Sequence, residues 1–148
     1  MQADVTIIIK HVSEFRSALL PRVVASSKPF EICDSETRRG LTLWSELLCM
    51  LSVRQQYPEI KILIGDDSSK PTLPDFHDDP NLRFYLLPTN AGLSAGRNWL
   101  VNMVATPYTF VMDDDIVFTE HTVLQHLLGR LKTSPEIQIV GGAYATEQ

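Results

Sequence analysis

The chain has 148 residues, of which 44% are hydrophobic and 21% charged, and its net charge is −5 at pH 7. This length and balance are typical of one soluble α/β domain that can bury a real core. The negative charge argues against a general nucleic-acid-binding surface, so a phosphate-bearing ligand would need local cations or a metal ion.

The first half of the chain predicts a strand, a poorly patterned stretch and a helix. Residues 5–9 form a continuous β-branched run, which indicates a buried parallel strand. Residues 14–24 predict a short helix and residues 26–40 a loop. Residues 41–57 predict a longer helix. Its expected apolar stripe consists of Leu43, Trp44, Leu47, Leu48 and Leu51.

The middle of the chain predicts two further strands separated by a loop. Residues 60–64 indicate the second strand, and residues 82–87 indicate a short third strand. Prolines and acidic residues between them predict a loop at 69–80. A turn at 89–92 follows the third strand.

The last third predicts two capped helices and two strands. Ser94 can cap a helix that runs to about residue 105, and Thr119 can cap another. Residues 108–112 and 137–140 indicate strands. The expected inward-facing residues of the two helices are Trp99, Leu100, Met103, Val104, Val123, Leu124, Leu127, Leu128 and Leu131. Strands alternating with helices in this way predict βαβ units, a mostly parallel sheet and a single domain.

Polar clusters follow three of the predicted strands, and a fourth cluster opens a helix. They occupy residues 10–11, 66–68 and 113–115, and the glycine-rich segment 92–98. The carboxyl ends of parallel strands meet at one edge of a sheet, where ligands of such folds bind. We therefore expect these clusters to converge.

Three consecutive carboxylates, Asp113, Asp114 and Asp115, follow the predicted strand at 108–112. Adjacent carboxylates repel one another, so a cation or hydrogen-bond donors should hold them. Alternation along an extended chain puts Asp113 and Asp115 on a common side. Their oxygens suit Mg²⁺ or Mn²⁺. The alternative is a solvated acidic turn at a helix N-terminus.

Asp66 and Asp67 end the second predicted strand in the same way. Their carboxylates can accept hydrogen bonds from a nucleobase N–H or a ribose hydroxyl, or they can form an Asx-turn with Ser68. Lys10 can contact a nucleotide at the end of the first strand, whereas His11 is expected to be solvated there. The remaining histidines, His77, His121 and His126, are expected at the surface.

The segment 92–98 suits an anionic ligand. Gly92 permits an unusual backbone angle, and Gly96 allows close approach of another group. Amides at a helix N-terminus favour anions. Arg97 can bind a phosphate or form an ion pair with a nearby aspartate. The glycine spacing fits neither the dinucleotide-binding nor the Walker pattern.

As an ordered set, these segments resemble the donor-binding half of family-2-type, GT-A-fold glycosyltransferases. A closer likeness is to the β-1,4-N-acetylgalactosaminyltransferases of the ganglioside GM2/GD2 synthase type. The motifs that carry it are Asp-Asp-Ser-x-Lys-Pro at 66–71, Ala-Gly-Arg-Asn at 95–98, Asp-Asp-Asp-x-Val-Phe-Thr at 113–119 and Val-Gly-Gly-Ala at 140–143. The resemblance implies an α/β fold with a Rossmann-like, mostly parallel GT-A sheet.

The same resemblance implies a metal-dependent, inverting transfer of GalNAc from UDP-GalNAc, or of another sugar from its UDP-sugar, to a glycan or glycolipid acceptor. Mn²⁺ or Mg²⁺ would bind at Asp115 and Asp113, the DXD motif, where Asp113 would face the ribose or the metal and Asp115 the metal and the diphosphate. Asp66 or Asp67 would bind uracil or ribose, and Arg97 would support the donor. The other expected donor-contacting residues are Lys10, Ser68, Gly92 and Asp114.

The family places the acceptor site and the general base further along the chain than Gln148. The domain over residues 1–148 is therefore expected to be truncated at its C-terminus, and no base is assigned. A catalytically inactive nucleotide-sugar-binding fragment or pseudoenzyme is the alternative function.

The resemblance also implies a type II membrane protein of the Golgi lumen, with its anchor absent from this chain; the alternative is a cytoplasmic protein. No apolar run approaches the ~20 residues of a membrane span, and the N-terminus lacks a signal-peptide pattern. Cys33 and Cys49 are too far apart for a CxxC metal site, and whether they are bonded stays open.

Overall fold

The computed structural model describes residues 2–11, 41–69 and 79–143. Its strands are β1 (Val5–His11), β2 (Lys61–Asp66), β3 (Leu82–Leu86) and β4 (Tyr108–Asp113), and its helices are α1 (Leu41–Gln56), α2 (Leu93–Asn102) and α3 (Leu124–Thr133). A 3-10 turn, Gln2–Asp4, precedes β1. The helix predicted at 14–24, the loop predicted at 26–40, most of the loop at 69–80, and Cys33 and His77 lie outside the described residues. No helix in the described part is long and apolar enough to cross a bilayer.

The four strands form one parallel sheet in the order β3-β2-β1-β4. This confirms the predicted parallel sheet. β1 is central because its β-branched run, Val5 to Ile9, is buried on both faces. The strand order reverses between β1 and β4, and in open α/β sheets such a reversal leaves a crevice at the carboxyl ends of the two strands.

The larger core lies between the sheet and helices α1 and α3. Alternate residues of β1, including Ile7 and Ile9, point to this face. They pack in one cluster with Met50 and Val53 of α1 and Leu128 of α3. The apolar face predicted for α3 is therefore confirmed.

Helix α2 covers the opposite face of the sheet. Leu100 packs against Ile8 of β1 and Leu63 of β2, and all three side chains are buried. Among the described elements, α2 thus covers this face over the two central strands. Its N-terminus lies near the sheet edge where β1 and β2 end.

The strand predicted at 137–140 is absent: these residues form no regular element, and Ile139 is 89% exposed. An apolar run becomes a strand only where a sheet edge can pair with it. The outer strands β3 and β4 of the described sheet each have one unpaired edge, and residues 137–140 pair with neither of them.

Two predicted helix faces were partly wrong. Leu51 of α1 is 50% exposed, and Cys49, Met50 and Val53 point to the core instead. Trp99 of α2 is exposed, its ring packed edge-on against Tyr85. Met103, also expected inward, is exposed. In each case a leucine-rich or aromatic pattern indicated a helix correctly but did not fix its rotation about its axis.

Both predicted helix caps were also wrong. α2 begins at Leu93 after Gly92, so Ser94 lies inside the first turn and no side chain caps the helix. α3 begins at Leu124, whose amide donates to the hydroxyl of Tyr57 at 2.9 Å. Thr119 instead accepts the amide of His121 in the preceding turn. Tyr57, which is distant in sequence, therefore caps α3 in place of Thr119.

Candidate active site

The parallel register brings the predicted clusters to one edge. Lys10 pairs with Gly65 on one side and with Asp113 on the other, and His11 pairs with Asp66. Neighbouring strands lie about 4.8 Å apart, so the ends of β2 and β4 are separated by roughly 10 Å. The two acidic clusters therefore flank the end of β1, as the sequence predicted.

Asp66 both forms a turn and keeps one oxygen open. Its Oδ1 accepts the amide of Ser68 at 2.9 Å, which is the Asx-turn that the sequence left as an alternative. Its Oδ2 and the hydroxyl of Ser68 are buried and have no hydrogen-bond partner among the described residues. A buried polar atom left unsatisfied costs about 1–3 kcal/mol, which a ligand or water at this position would relieve.

Asp67 is bonded through both of its oxygens. The ammonium of Lys10 donates to Oδ1, and the amide of Gly92 donates to Oδ2 at 2.8 Å. The side chains of Lys10 and Asp67 are 0% and 2% exposed. Burial alone would raise the pKa of Asp67, but the bonds from Lys10 and Gly92 and the charge of Lys10 outweigh it and hold the pKa below its usual value.

This geometry changes how Lys10 can serve a donor site. The sequence predicted that Lys10 contacts the nucleotide, whereas the structure directs its ammonium to Asp67 within the protein. An effect of Lys10 on a ligand would therefore act through Asp67. Gly92 adopts a φ of 84° immediately before α2, as expected for a position that needs glycine.

Arg97 of α2 bridges to the aspartate triplet. Its Nη2 donates to Oδ1 of Asp113, and the two side chains are 30% and 37% exposed. The ion-pair alternative weighed for Arg97 is therefore present. A guanidinium has five N–H donors, so one carboxylate oxygen does not exhaust its capacity to bind an anion.

Burial alternates along the triplet. Asp114 is buried, Asp113 is half-buried and Asp115 is exposed. Asp113 and Asp115 are thus accessible. Strand alternation does not account for this, because β4 ends at Asp113 and residues 114–115 form a turn in which the amide of Ile116 donates to the carbonyl of Asp113 at 3.3 Å. Within the described part of the chain, no three His, Cys, Asp or Glu side chains are grouped to hold a metal ion. A divalent ion here would rely on one or two carboxylates, with the ligand's phosphates and water completing its shell.

Helix α1 and Tyr57 directly after it support the segment that follows the triplet, a role that no local sequence pattern indicated. The hydroxyl of Ser52 accepts the amide of Phe118 at 2.9 Å, and Gln56 donates to the carbonyl of Thr119. The hydroxyl of Tyr57 donates to the carbonyl of Thr122 at 2.8 Å. Two polar side chains of α1 and that of Tyr57, which directly follows the helix, therefore hold the backbone beyond the triplet.

The remaining predicted positions are peripheral. His121 and His126 are exposed, which confirms their assignment to the surface. Cys49 is buried, its sulfur 3.9 Å from the carbonyl oxygen of Asp113. The side chains of His11 and Trp44 lie outside the described set.

Several proteins similar to this chain are N-acetylgalactosaminyltransferases. The chain is 42% identical over 92 residues to beta-1,4 N-acetylgalactosaminyltransferase 1 of Mus musculus, covering 62% of this chain and 16% of that protein. The Homo sapiens protein of the same name is 41% identical over 92 residues, which again cover 62% of this chain and 16% of that protein. Beta-1,4 N-acetylgalactosaminyltransferase 2 of Mus musculus is 33% identical over 96 residues, covering 65% and 18%. The chain thus spans less than a fifth of these relatives.

Among solved structures, S. aureus TarS aligns with a TM-score of 0.48 and 17% identity, over 88% of this chain and 20% of that one. That likeness is too distant to carry an argument. The model of glycosyl transferase family 2 matches residues 47–148, which include β2 to β4, the glycine-rich segment and the triplet. Since this match covers more than half of the chain, the protein belongs to glycosyl transferase family 2, and its parallel sheet is of the GT-A type.

Proposed function

We propose that this chain forms the donor-binding part of a metal-dependent, inverting glycosyltransferase that moves GalNAc from UDP-GalNAc to a glycan or glycolipid acceptor. The observation that carries the proposal is the meeting of Asp66 and the 113–115 carboxylates across the end of β1. The similarity to N-acetylgalactosaminyltransferases supports GalNAc as the transferred sugar.

Asp66 and Ser68 suit the uridine end of the donor. The open Oδ2 of Asp66 can accept a hydrogen bond from the uracil N–H or a ribose hydroxyl. The hydroxyl of Ser68 can both donate and accept. The Asx-turn already fixes the carboxylate of Asp66 through its Oδ1, so binding at this carboxylate requires little ordering of its side chain.

The charge balance at the edge supports a divalent cation. The described residues there are two cations and five carboxylates: Lys10, Arg97, Asp66, Asp67, Asp113, Asp114 and Asp115. One cation is already held by Asp67, so a diphosphate approaching this edge would be repelled. Mn²⁺ or Mg²⁺ at the accessible Asp113 and Asp115 would reverse that repulsion and stabilise the departing diphosphate.

Arg97 would orient the diphosphate from the opposite side. Its guanidinium is half-buried beside Asp113 and can form a planar bidentate contact with phosphate. Inversion requires attack by an acceptor hydroxyl on the face of the sugar opposite the leaving group, assisted by a general base. We assign no base within this chain, and we propose a Golgi-lumenal location reached through membrane anchorage beyond the described residues.

The test is calorimetric titration of UDP with and without Mn²⁺, comparing wild type with Asp115→Ala. Asp115 is exposed, so its removal should leave the fold intact while abolishing Mn²⁺-dependent binding. Glu120→Ala is the matched control, because it removes an exposed carboxylate from the same segment. Equal UDP affinity in wild type and Asp115→Ala would refute the metal site.

A turnover assay then separates the two functional alternatives. Release of UDP from UDP-GalNAc in the presence of acceptor glycans supports a transferase. Tight, Mn²⁺-dependent UDP binding without any turnover supports the nucleotide-sugar-binding alternative. Absence of UDP binding under all conditions would exclude both.

A further inference from the structure

The side chain of Lys10 passes beneath the first turn of α2 through space that a glycine leaves open. A Cβ atom added at Gly96 would lie 2.5 Å from both Cδ and Cε of Lys10. Such contacts are far inside van der Waals distance, so any larger residue at 96 would displace the lysine stem. Gly96 and Lys10 are therefore sterically matched.

The ammonium at the end of that stem controls the position of Asp67. Asp67 in turn accepts the amide of Gly92 on its other oxygen, and its carbonyl accepts the amide of Asn90 at 2.8 Å. Gly92 and Asn90 both have positive φ, so this turn depends on external bonds to hold its shape. One buried cation thus fixes both the end of β2 and the start of α2.

The open oxygen of Asp66 lies directly beside this arrangement. The carbonyl of Asp66 accepts the amide of Leu87 at 2.8 Å, so its backbone is tied to the same connection between β3 and α2. Movement of Asp67 would shift Asp66 and the Asx-turn with Ser68. The uridine-binding groups therefore depend on a residue that does not reach the ligand.

We propose that Lys10 is a positioning residue for donor binding, which acts through Asp67 and depends on Gly96 for its path. This inference rests on the proposed function, since the ligand it positions for is the UDP-sugar. The competing explanation is that Lys10 only neutralises a buried carboxylate and contributes to stability alone. The two explanations predict different effects on substrate constants in protein that remains folded.

The first measurement compares Lys10→Met with wild type by UDP calorimetry and by steady-state kinetics, at a temperature where circular dichroism shows both to be folded. We expect the Kd for UDP and the KM for the donor to rise at least tenfold, with the acceptor KM unchanged. Lys132→Met is the control, because Lys132 forms an exposed ion pair with Asp4. An unchanged Kd for UDP in folded Lys10→Met would overturn the proposal, whether or not the chain shows turnover.

The second measurement does not require a variant with an unpaired buried charge. Gly96→Ala keeps both charges but displaces the lysine stem, and it should weaken UDP binding by about tenfold. In a Lys10→Ala/Asp67→Asn background the stem and both charges are gone, so the added methyl group should change the Kd less than twofold. Equal effects of Gly96→Ala in the two backgrounds would show that Gly96 acts independently of Lys10 and would overturn the inference.

Wild-type binding separates this inference from the function on which it rests. If wild type binds no UDP, the proposed function fails. If wild type binds UDP and both Lys10→Met and Gly96→Ala bind it equally well, only the positioning role fails.

Discussion

Two ion pairs connect helix α2 and its leading turn to the edge of the sheet, and they differ in burial. Lys10–Asp67 lies beneath the helix with both side chains almost fully buried, whereas Arg97–Asp113 is about one-third exposed. Burying a charge is costly unless its partner is present, while a solvated pair contributes little to stability. The Lys10–Asp67 pair should therefore be costly to break, whereas Arg97 and Asp113 can change partners at little cost in stability.

The difference indicates a division of work across the proposed site. Under the proposed function, the uridine end would consist of groups at the end of β2 that Lys10 and the amide of Gly92 hold in place. The diphosphate end would keep the accessible charges of Asp113, Asp115 and Arg97, which a metal ion and phosphates would rearrange. The preorganised end would suit a rigid nucleobase. The end with accessible charges would suit a flexible diphosphate, whose phosphates could replace existing ion-pair partners.

The largest expected effect is on the buried pair. Asp67→Ala leaves the ammonium of Lys10 buried without its carboxylate and should lower the free energy of unfolding by about 3–5 kcal/mol. Asp113→Ala, which breaks the exposed pair, should lower it by less than about 1 kcal/mol. Urea unfolding followed by circular dichroism measures both. Equal losses would remove the distinction between the two pairs.

The same pair should make stability depend on acidity. The pKa of Asp67 lies below its usual value of 3.8 in the folded protein, so the folded state binds the proton less readily than the unfolded state. The resulting stabilisation is complete above that usual value and is lost as the pH falls below it. The gap in unfolding free energy between wild type and Asp67→Ala should be constant at neutral pH and should narrow in acid. A gap that widened in acid would contradict the depressed pKa.

A smaller effect is expected where α1 holds the chain beyond the triplet. Tyr57→Phe removes the hydroxyl that accepts the amide of Leu124 and donates to Thr122. Leaving those groups unsatisfied should cost about 1–3 kcal/mol. Thermal unfolding measures the loss, and a change below 0.5 kcal/mol, roughly what an ordinary surface substitution causes, would show that water replaces the hydroxyl.

The smallest stability change is expected for Arg97→Ala, whose effect on UDP binding should be much larger than its effect on stability. Breaking the half-exposed pair should alter the unfolding free energy by less than about 1 kcal/mol. Loss of a charge-assisted contact to phosphate should weaken UDP binding about tenfold or more. Arg130→Ala, which removes an exposed arginine of α3, is the control. A large stability loss with unchanged UDP affinity would assign Arg97 to the fold.

Local pattern sufficed for the elements of the sheet. The β-branched runs that end at Ile9 and Ile64 have few alternatives to a buried parallel strand, and their polar ends then meet by geometry alone. The run at 137–140, which Gln138 interrupts, pairs with neither of the unpaired edges that β3 and β4 present in the described sheet. Whether an apolar run becomes a strand depends on how the chain reaches such an edge, which sequence does not reveal.

The partners of the site residues could not be predicted for a related reason. Lys10 finds Asp67 and Tyr57 finds Leu124, and each pair is joined only by the tertiary fold. One signal was available for the first pair: a lone lysine at the end of a buried strand must have a buried partner. The burial of the Lys10 side chain can be predicted only once Gly96 is known to lie against it.

The parallel order of the strands also bears on how this protein folds. Val5 of β1 pairs with Tyr108 of β4, a partner on the order of 100 residues later in the chain, and no two neighbouring strands form a hairpin. Contacts of such separation form slowly, because a long loop must close before they contribute. During synthesis, β1 cannot pair with β4 until β4 has been made. We therefore expect the crevice between β1 and β4 to appear late and in a single cooperative step.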